Sequence, residues 1–320
     1  MILSMNSKMK RIIRTIFYPF VLVRRYFLKY YMNYLQKHDL KRLAGLIYKL
    51  NFGRKLNWDN PQNLSEKINW MKFNSDTSKW TELADKYKVR DYVASKGLSD
   101  ILVQLYGVWE RAEDIDFDTL PKSFVLKTNH ACGTVLLVED KSKINESEIR
   151  GLLNKWLNIT IGKETAEPHY LAITPLIIAE EYLKTSSGTG IVDYKLFTVS
   201  GKTELVMVCS DRKIGIGASI SLYDSNWNFC PERLGACHAG DGVAEIAKPA
   251  SFDLMKEYAE ILCKEFPFVR MDFYDIDGKV YFGEMTFTPK GGYCSTLTDE
   301  ESLRIGKLIR LSLPINKEVK

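Results

Sequence analysis

The chain has 320 residues, 45% of them hydrophobic and 27% charged, with a net charge of +5; this is the composition of a folded globular protein with room for one large or two to three small domains, not of a disordered or fibrous one. The apolar run at residues 16–23 is interrupted by Pro19 and falls far short of the roughly 20 residues that span a bilayer, and no stretch reads as a secretory signal. The six cysteines, Cys132, Cys209, Cys230, Cys237, Cys263 and Cys294, form no C-x-x-C pair, and Cys237-His238 lacks further ligands at zinc spacing, so reduced, mostly buried thiols in a cytoplasmic protein are expected and a zinc site is not.

Residues 1–55 carry thirteen Lys or Arg against one acid, Asp39, a net +12 that leaves the rest of the chain at −7. Phe17, Tyr18, Phe20, Tyr26, Phe27, Tyr30, Tyr31 and Tyr34 are interleaved with these charges. Such a segment suits a helix lying on an anionic membrane surface, and equally a solvated basic helix packed on its own protein. No nucleic-acid module accompanies the charge, so nucleic acid is not an expected partner. Next, Asn63-Leu64-Ser65-Glu66 has the pattern of a capping box opening a helix to about Phe73. A second helix is expected over residues 78–96, closed by Gly97, with Asp85, Lys86, Lys88 and Arg90 on an exposed charged face. Residues 101–109 alternate as a strand.

Residues 124–140, FVLKTNHACGTVLLVED, read as a strand, a small-residue loop and a second strand, with Lys127 before the loop and His130 and Gly133 inside it. The backbone N–H groups of such an element, with one lysine, can meet phosphate oxygens. Residues 145–160 have helical spacing, with Trp156 and Leu157 inward. An apolar strand at residues 175–183 ends in Glu180 and Glu181. A Gly/Ser/Thr loop at residues 185–190 leads to a hairpin turning at Ser200-Gly201, with Asp193 and Lys195 on one face of its first strand and Arg212 after its second. The Gly-, Ala- and Ser-rich residues 213–250 are expected to be loop. Amphipathic helices are expected at residues 252–266 and 300–311.

The most informative stretch is residues 268–292, FVRMDFYDIDGKVYFGEMTFTPKGG. Alternation puts Arg270 and Asp272 on one face of its first run, and Phe282, Glu284 and Thr286 on one face of its second. Whether these faces coincide depends on the turn. A two-residue Asp277-Gly278 turn pairs Ile276 with Lys279 and Asp272 with Gly283, sending Asp272 and Glu284 to opposite faces and leaving an ordinary charged edge hairpin. A three-residue loop ending in Gly278 pairs Asp275 with Lys279, so that Arg270 faces Glu284 and Asp272 faces Phe282. Two carboxylates and a guanidinium then share a face, a donor set suited to Mg²⁺ and phosphate. A calcium loop is not expected, because Gly278 at its sixth position would place Phe273 at its first and the flanks are β-branched and aromatic rather than helical.

The sequence contains neither a G-x-x-x-x-G-K-[ST] run nor protein-kinase signatures. The succession of Lys127 before a flexible β-loop, the acidic strand at Glu180-Glu181, Asp193-x-Lys195, Arg270-x-Asp272 and Glu284 resembles the ATP-grasp superfamily. More narrowly, NLSEKINWMKF, DKYKVRDYV, FVLKTNH, IIAEEYL, DYKLFTVSGK and VRMDFY…FGEMTFTP resemble the TupA-like ATP-grasp proteins of bacterial surface-polysaccharide synthesis, over about residues 50–310.

The resemblance implies an α/β (α+β) fold in which a β-rich lid, residues 120–178, and a C-terminal mixed sheet, residues 179–320, close over ATP. An N-terminal subdomain, 56–119, would precede them, and the basic segment 1–55 would lie outside. It further implies that Lys127 contacts ATP phosphates, with His130 and Gly133 in the covering loop. Glu180, Glu181, Tyr182 and Leu183 would form the adenine hinge, and Asp193 would hold the ribose. Lys195, Arg270 and, less directly, Arg212 would offset phosphate or acyl-phosphate charge, and Asp272, Glu284 and Thr286 would hold Mg²⁺. Thr286 stands where many ATP-grasp enzymes have an asparagine ligand, which leaves a second metal open. Pro289-Lys290-Gly291 replaces the usual Pro-Gly and puts a cation at the substrate edge. The activity implied is ATP-dependent joining of a carboxylate to an amine through an acyl phosphate, on a uronic-acid sugar of a capsular or cell-wall glycan, in the cytoplasm or on the inner membrane face. A glycosyltransferase, a sugar kinase and a non-catalytic binding relative are the alternatives.

Overall fold

The computed structural model describes residues 7–188, 190–213, 217–235 and 243–311, with side chains described from Leu22 onward apart from 211–213 and 217. Cys237 and His238 therefore lie outside the described residues. The chain opens with α1 (Ser7–His38) and α2 (Leu40–Phe52), separated at Asp39, whose carboxylate accepts the Arg42 backbone N–H. The capping box forms as expected: Asn63 accepts from the Glu66 N–H, Glu66 accepts from the Asn63 N–H, and α3 (Leu64–Asn74) follows.

The single helix expected at 78–96 is instead two, α4 (Ser78–Ala84) and α5 (Val89–Ser95). Asp85 adopts an extended conformation, and its carboxylate accepts the N–H groups of Tyr87 and Lys88 at 2.8 and 3.3 Å. A short polar side chain that satisfies local backbone donors competes with the helix ladder in this way. The break turns Asp85 and Lys86 into the protein, so these residues do not lie on the exposed face assigned to them.

Two sheets follow, and every pairing in both is antiparallel. The first has the order β1-β4-β2-β3, from β1 (Leu105–Trp109), β2 (Phe124–Thr128), β3 (Val135–Val138) and β4 (Ile177–Glu181). It takes β1 from upstream of residue 120 and all of β4, and so exceeds the 120–178 unit at both ends. Helix α6 (Glu146–Leu157) packs on it, and Ile149 and Leu153 join Phe124, Leu126, Ile177 and Ala179 in one core.

The second sheet has the order β7-β6-β5-β8-β9, from β5 (Asp193–Val199), β6 (Lys202–Lys213), β7 (Gly217–Tyr223), β8 (Phe268–Ile276) and β9 (Lys279–Thr286). It was expected to be mixed. The β5–β6 and β8–β9 pairs are joined by tight turns, at Ser200-Gly201 and Asp277-Gly278, which allow only antiparallel pairing, and β5–β8 and β6–β7 pair antiparallel as well. Strand β7 lies where loop was expected, because hydrogen bonding along β6 overrides the weak strand signal of a Gly/Ala/Ser-rich segment. Helices α7 (Phe252–Cys263) and α8 (Asp299–Leu308) cover the larger core, which includes Leu196, Leu205, Val208, Met255, Met271, Phe273 and Phe287.

Candidate active site

The β8–β9 hairpin resolves the alternatives by a third route. The turn is the two-residue form: Asp277 and Gly278 have φ of 54° and 87°, and Ile276 pairs with Lys279. Regular pairing continues to Phe273 opposite Phe282, and then the register shifts. Gly283 is the extra residue, so Asp272 faces Glu284 and Arg270 faces Thr286. A β-bulge thus transfers β9 from one face alternation to the other. Val280, Phe282 and Met285 stay in the core, while Glu284 and Thr286 join Arg270 and Asp272 on the other face. Glycine fits closely there: a Cβ would lie 3.0 Å from the Asp272 carbonyl oxygen, so β8 would have to give by a few tenths of an ångström.

On that face Arg270 grips both oxygens of Asp272, each at 2.6 Å, and its Nη2 donates to Glu284 at 3.0 Å and to Thr286 at 3.1 Å. The Thr286 hydroxyl donates to Glu284 at 2.8 Å. From neighbouring β5, in register with Asp272, Lys195 donates to the same carboxylate at 2.5 Å and stands 3.6 Å from Asp193. Burial pushes the Glu284 carboxyl up, but Lys86, Arg270 and Lys195 outweigh it and hold the group at about 2. Burial opposes the charge of Lys195 and the adjacent Asp272 overcomes it, so its pKa rises.

Lys127 and Arg90 both pair with the buried Glu180 carboxylate, Arg90 at 3.5 Å. Arg90 also donates to the Val103 carbonyl at 2.8 Å, which turns it, too, away from the exposed face predicted for it. Lys86 is anchored on the loop of the first sheet. Its N–H donates to Asn129 O at 3.1 Å and its ammonium to Ala131 O at 2.9 Å, both in the β2–β3 loop. Burial lowers its pKa; Glu284 counters that effect and Lys127 adds to it. Lys86 is the functional candidate that periodicity missed. The signal lay in Asp85, a helix-starting residue type inside a helical pattern.

The remaining expected residues are distributed as follows. His130 is buried, its Nε2 is 3.0 Å from the Ile159 carbonyl and its Nδ1 has no partner; burial lowers its pKa. Gly133 has φ of 76°, and the neck of its loop is closed by the Thr128 and Thr134 hydroxyls at 2.6 Å. The Tyr182 hydroxyl donates to Glu139 at 3.2 Å, and Glu181 donates its N–H to Gln104 O at 2.9 Å. Leu183 is half-buried just beyond β4. The loop that follows is tied to the hairpin turn, since the Ser186 N–H and hydroxyl both donate to Asp277, at 2.9 and 3.0 Å. Arg212 lies in β6, and its side chain falls outside those described.

The donor set fits Mg²⁺. Asp272 and Glu284 face each other across one strand pair with the Thr286 hydroxyl beside them, and among the described residues no group of three or more His, Cys, Asp or Glu could hold a metal. A cation here would depend on two carboxylates completed by water and phosphate oxygens, which is the preference of Mg²⁺.

Two antiparallel sheets whose lysines and acids converge in this order define the ATP-grasp fold, the fold of an enzyme family. Within it, the chain belongs to the TupA-like ATP-grasp family, whose model matches residues 66–310. No curated protein matches the chain. Among solved structures it is similar to the D-alanine–D-alanine ligase of Bacillus anthracis complexed with ATP, at 17% identity and a TM-score of 0.43, covering 77% of this chain and 65% of that one. The D-alanine–D-alanine ligase of Helicobacter pylori gives 15% identity and a TM-score of 0.41, over 78% and 71%. The ATP-grasp ligase PsnB, complexed with minimal precursor, Mg and ADP, gives 11% and 0.37, over 70% and 58%.

Proposed function

We propose that this protein is an ATP-dependent carboxylate–amine ligase. The carrying observation is the Arg270–Asp272–Glu284–Thr286–Lys195 constellation, brought to one face by the Gly283 bulge in a chain of the TupA-like ATP-grasp family. In the first step a substrate carboxylate oxygen attacks the γ-phosphorus of ATP, forming an O–P bond as the bond to ADP breaks. Three anionic groups meet there, so the transition state requires fixed positive charge. Lys195 and Arg270 supply it from the larger sheet, and Lys86 and Lys127 from the smaller sheet and its approaches. Held by Asp272 and Glu284, with Thr286 as a weaker third donor, Mg²⁺ would add charge at the phosphate oxygens. In the second step an amine attacks the acyl-phosphate carbonyl; a C–N bond forms, phosphate leaves and the amine loses a proton. Because an acyl phosphate hydrolyses, the four-stranded sheet and the residue 129–134 loop act as a lid that excludes water.

For the substrates, the family resemblance supports a uronic-acid sugar as carboxylate and an amino acid or related amine as acceptor, in a cytoplasmic step of surface-polysaccharide assembly. The test is incubation with ATP, Mg²⁺, candidate uronic acids and hydroxylamine, with ADP counted and hydroxamate trapped. Hydroxamate that requires Glu284 supports the ligase. ADP released with phosphate on a sugar hydroxyl and no hydroxamate makes the protein a kinase on the same nucleotide site.

A further inference from the structure

The feature that the ligase reading leaves unused is α1. It runs for 32 residues without one acidic side chain, and at about 1.5 Å per residue it is close to 50 Å long. Among its described side chains, from Leu22 onward, contact with the rest of the protein lies on one face near its C-terminus. Leu35 is buried, Met32 packs beside it against Leu43, Ala44 and Ala166, and Leu28 is half-buried one turn earlier. At about 100° per residue these three fall on one side of the helix, and Leu22, Val23, Tyr26, Phe27, Tyr30 and Tyr34 fall on the opposite half, with Tyr31 at its edge. That half is bare: Tyr26, Phe27 and Tyr30 are 70, 64 and 67% exposed. A solvated helix packed on its own protein turns its apolar residues inward. This one packs with a narrow aliphatic strip and turns its aromatic half outward.

The charges select the occupant. On the same helical net Arg24 and Lys29 sit at the two borders of the aromatic half, with Arg25 beside Lys29. Aromatic rings with polar edges between cationic side chains match the headgroup region of an anionic bilayer, where rings insert and Lys and Arg reach outward to phosphates. A second copy of the chain would oppose the same cations to one another, since α1 has no acid to receive them. No described helix is long and apolar enough to cross a membrane, so the helix would lie on the surface. We propose that α1 docks the protein on an anionic lipid surface through its Leu22–Tyr34 aromatic half. The inference does not depend on the reaction catalysed.

Flotation of the full chain with mixed phosphatidylglycerol–phosphatidylcholine vesicles, and with pure phosphatidylcholine vesicles, tests it at low and high salt. Binding should require the anionic lipid and weaken with salt. Arg24→Gln, Arg25→Gln and Lys29→Gln together should weaken it about 100-fold, three cations each contributing roughly a fivefold factor near such a surface. Tyr26→Ser, Phe27→Ser and Tyr30→Ser together should abolish it while ATP turnover and helical content stay unchanged. Equal binding to neutral vesicles, or full binding by the aromatic variant, overturns the proposal. So does a vesicle-independent dimer, seen by light scattering, that the aromatic variant dissociates, because the half is then covered by a second copy. If the aromatic variant loses helix, the charge variant and the salt dependence decide.

Discussion

Replacing Gly283 by valine should impair the site without touching any charged residue. The added Cβ falls 3.0 Å from the Asp272 carbonyl oxygen, 3.3 Å from the Tyr274 ring and 3.4 Å from the Asp272 carbonyl carbon. A backbone carbonyl cannot rotate away as a flexible side chain would, so β8 must shift by a few tenths of an ångström at Asp272. That residue is fixed from its other side by Lys195 at 2.5 Å and Arg270 at 2.6 Å, and the shift passes to its carboxylate. Overpacking of this kind costs about 1–3 kcal/mol of stability. A misplacement of ~1 Å in a reacting constellation costs ~10²-fold in rate, so a few tenths should cost about tenfold or more. Coupled ADP release at saturating Mg²⁺ gives the rate, and thermal unfolding reports the fold. Because the bulge acts through the acid pair, Gly283→Val added to Glu284→Ala should lower the rate little beyond Glu284→Ala alone. Wild-type ADP release by a folded Gly283→Val protein, or full additivity of the two changes, would refute the argument that the bulge assembles the site.

Three further outcomes are expected. Lys86→Met removes the cation that leads in pulling Glu284 down to about 2 against the effect of burial; the acid limb of the ADP-release profile should move to higher pH and the neutral rate fall ~10²-fold. An unmoved limb would place Lys86 outside the site. Lys127→Ala should raise the KM for ATP about tenfold, through loss of a phosphate contact, with little change in the thermal midpoint, since Arg90 still pairs with Glu180; a collapsed midpoint with an unchanged KM would make Lys127 structural. His169 is held to about 3 by burial, with Lys72 adding to the effect. Its native form is neutral while the unfolded chain binds a proton below about 6.5, so stability should fall as pH drops from about 6.5 towards 3, by at most ~1.4 kcal/mol per pH unit. Denaturant titrations across that range should show a shallower slope in His169→Gln, and an equal slope would assign the acid sensitivity elsewhere.

The sequence by itself determined the local chemistry. Asn63 and Glu66 were legible as a reciprocal cap and Ser200-Gly201 as a tight turn, because each depends on residues within a few positions of one another, whereas the two-residue form of the Asp277-Gly278 turn was one of two the sequence allowed. The order of Lys127, Glu180, Asp193, Lys195, Arg270, Asp272 and Glu284 was likewise enough to recognise the superfamily. Tertiary structure decided what depended on contacts distant in the chain. Face alternation counts by twos and cannot register an extra residue, so the union of Asp272 with Glu284 became visible only once the bulge at Gly283 was seen against β8. Helical periodicity assigned Lys86 and Arg90 to solvent. The Asp85 break and the β2–β3 loop that receives the Lys86 ammonium turned both inward, because a buried cation is tolerated only where distant acceptors, here Ala131, Val103 and Glu180, meet it. For α1, composition left two readings open, and the packing of Met32 and Leu35 fixed which half of the helix faces outward.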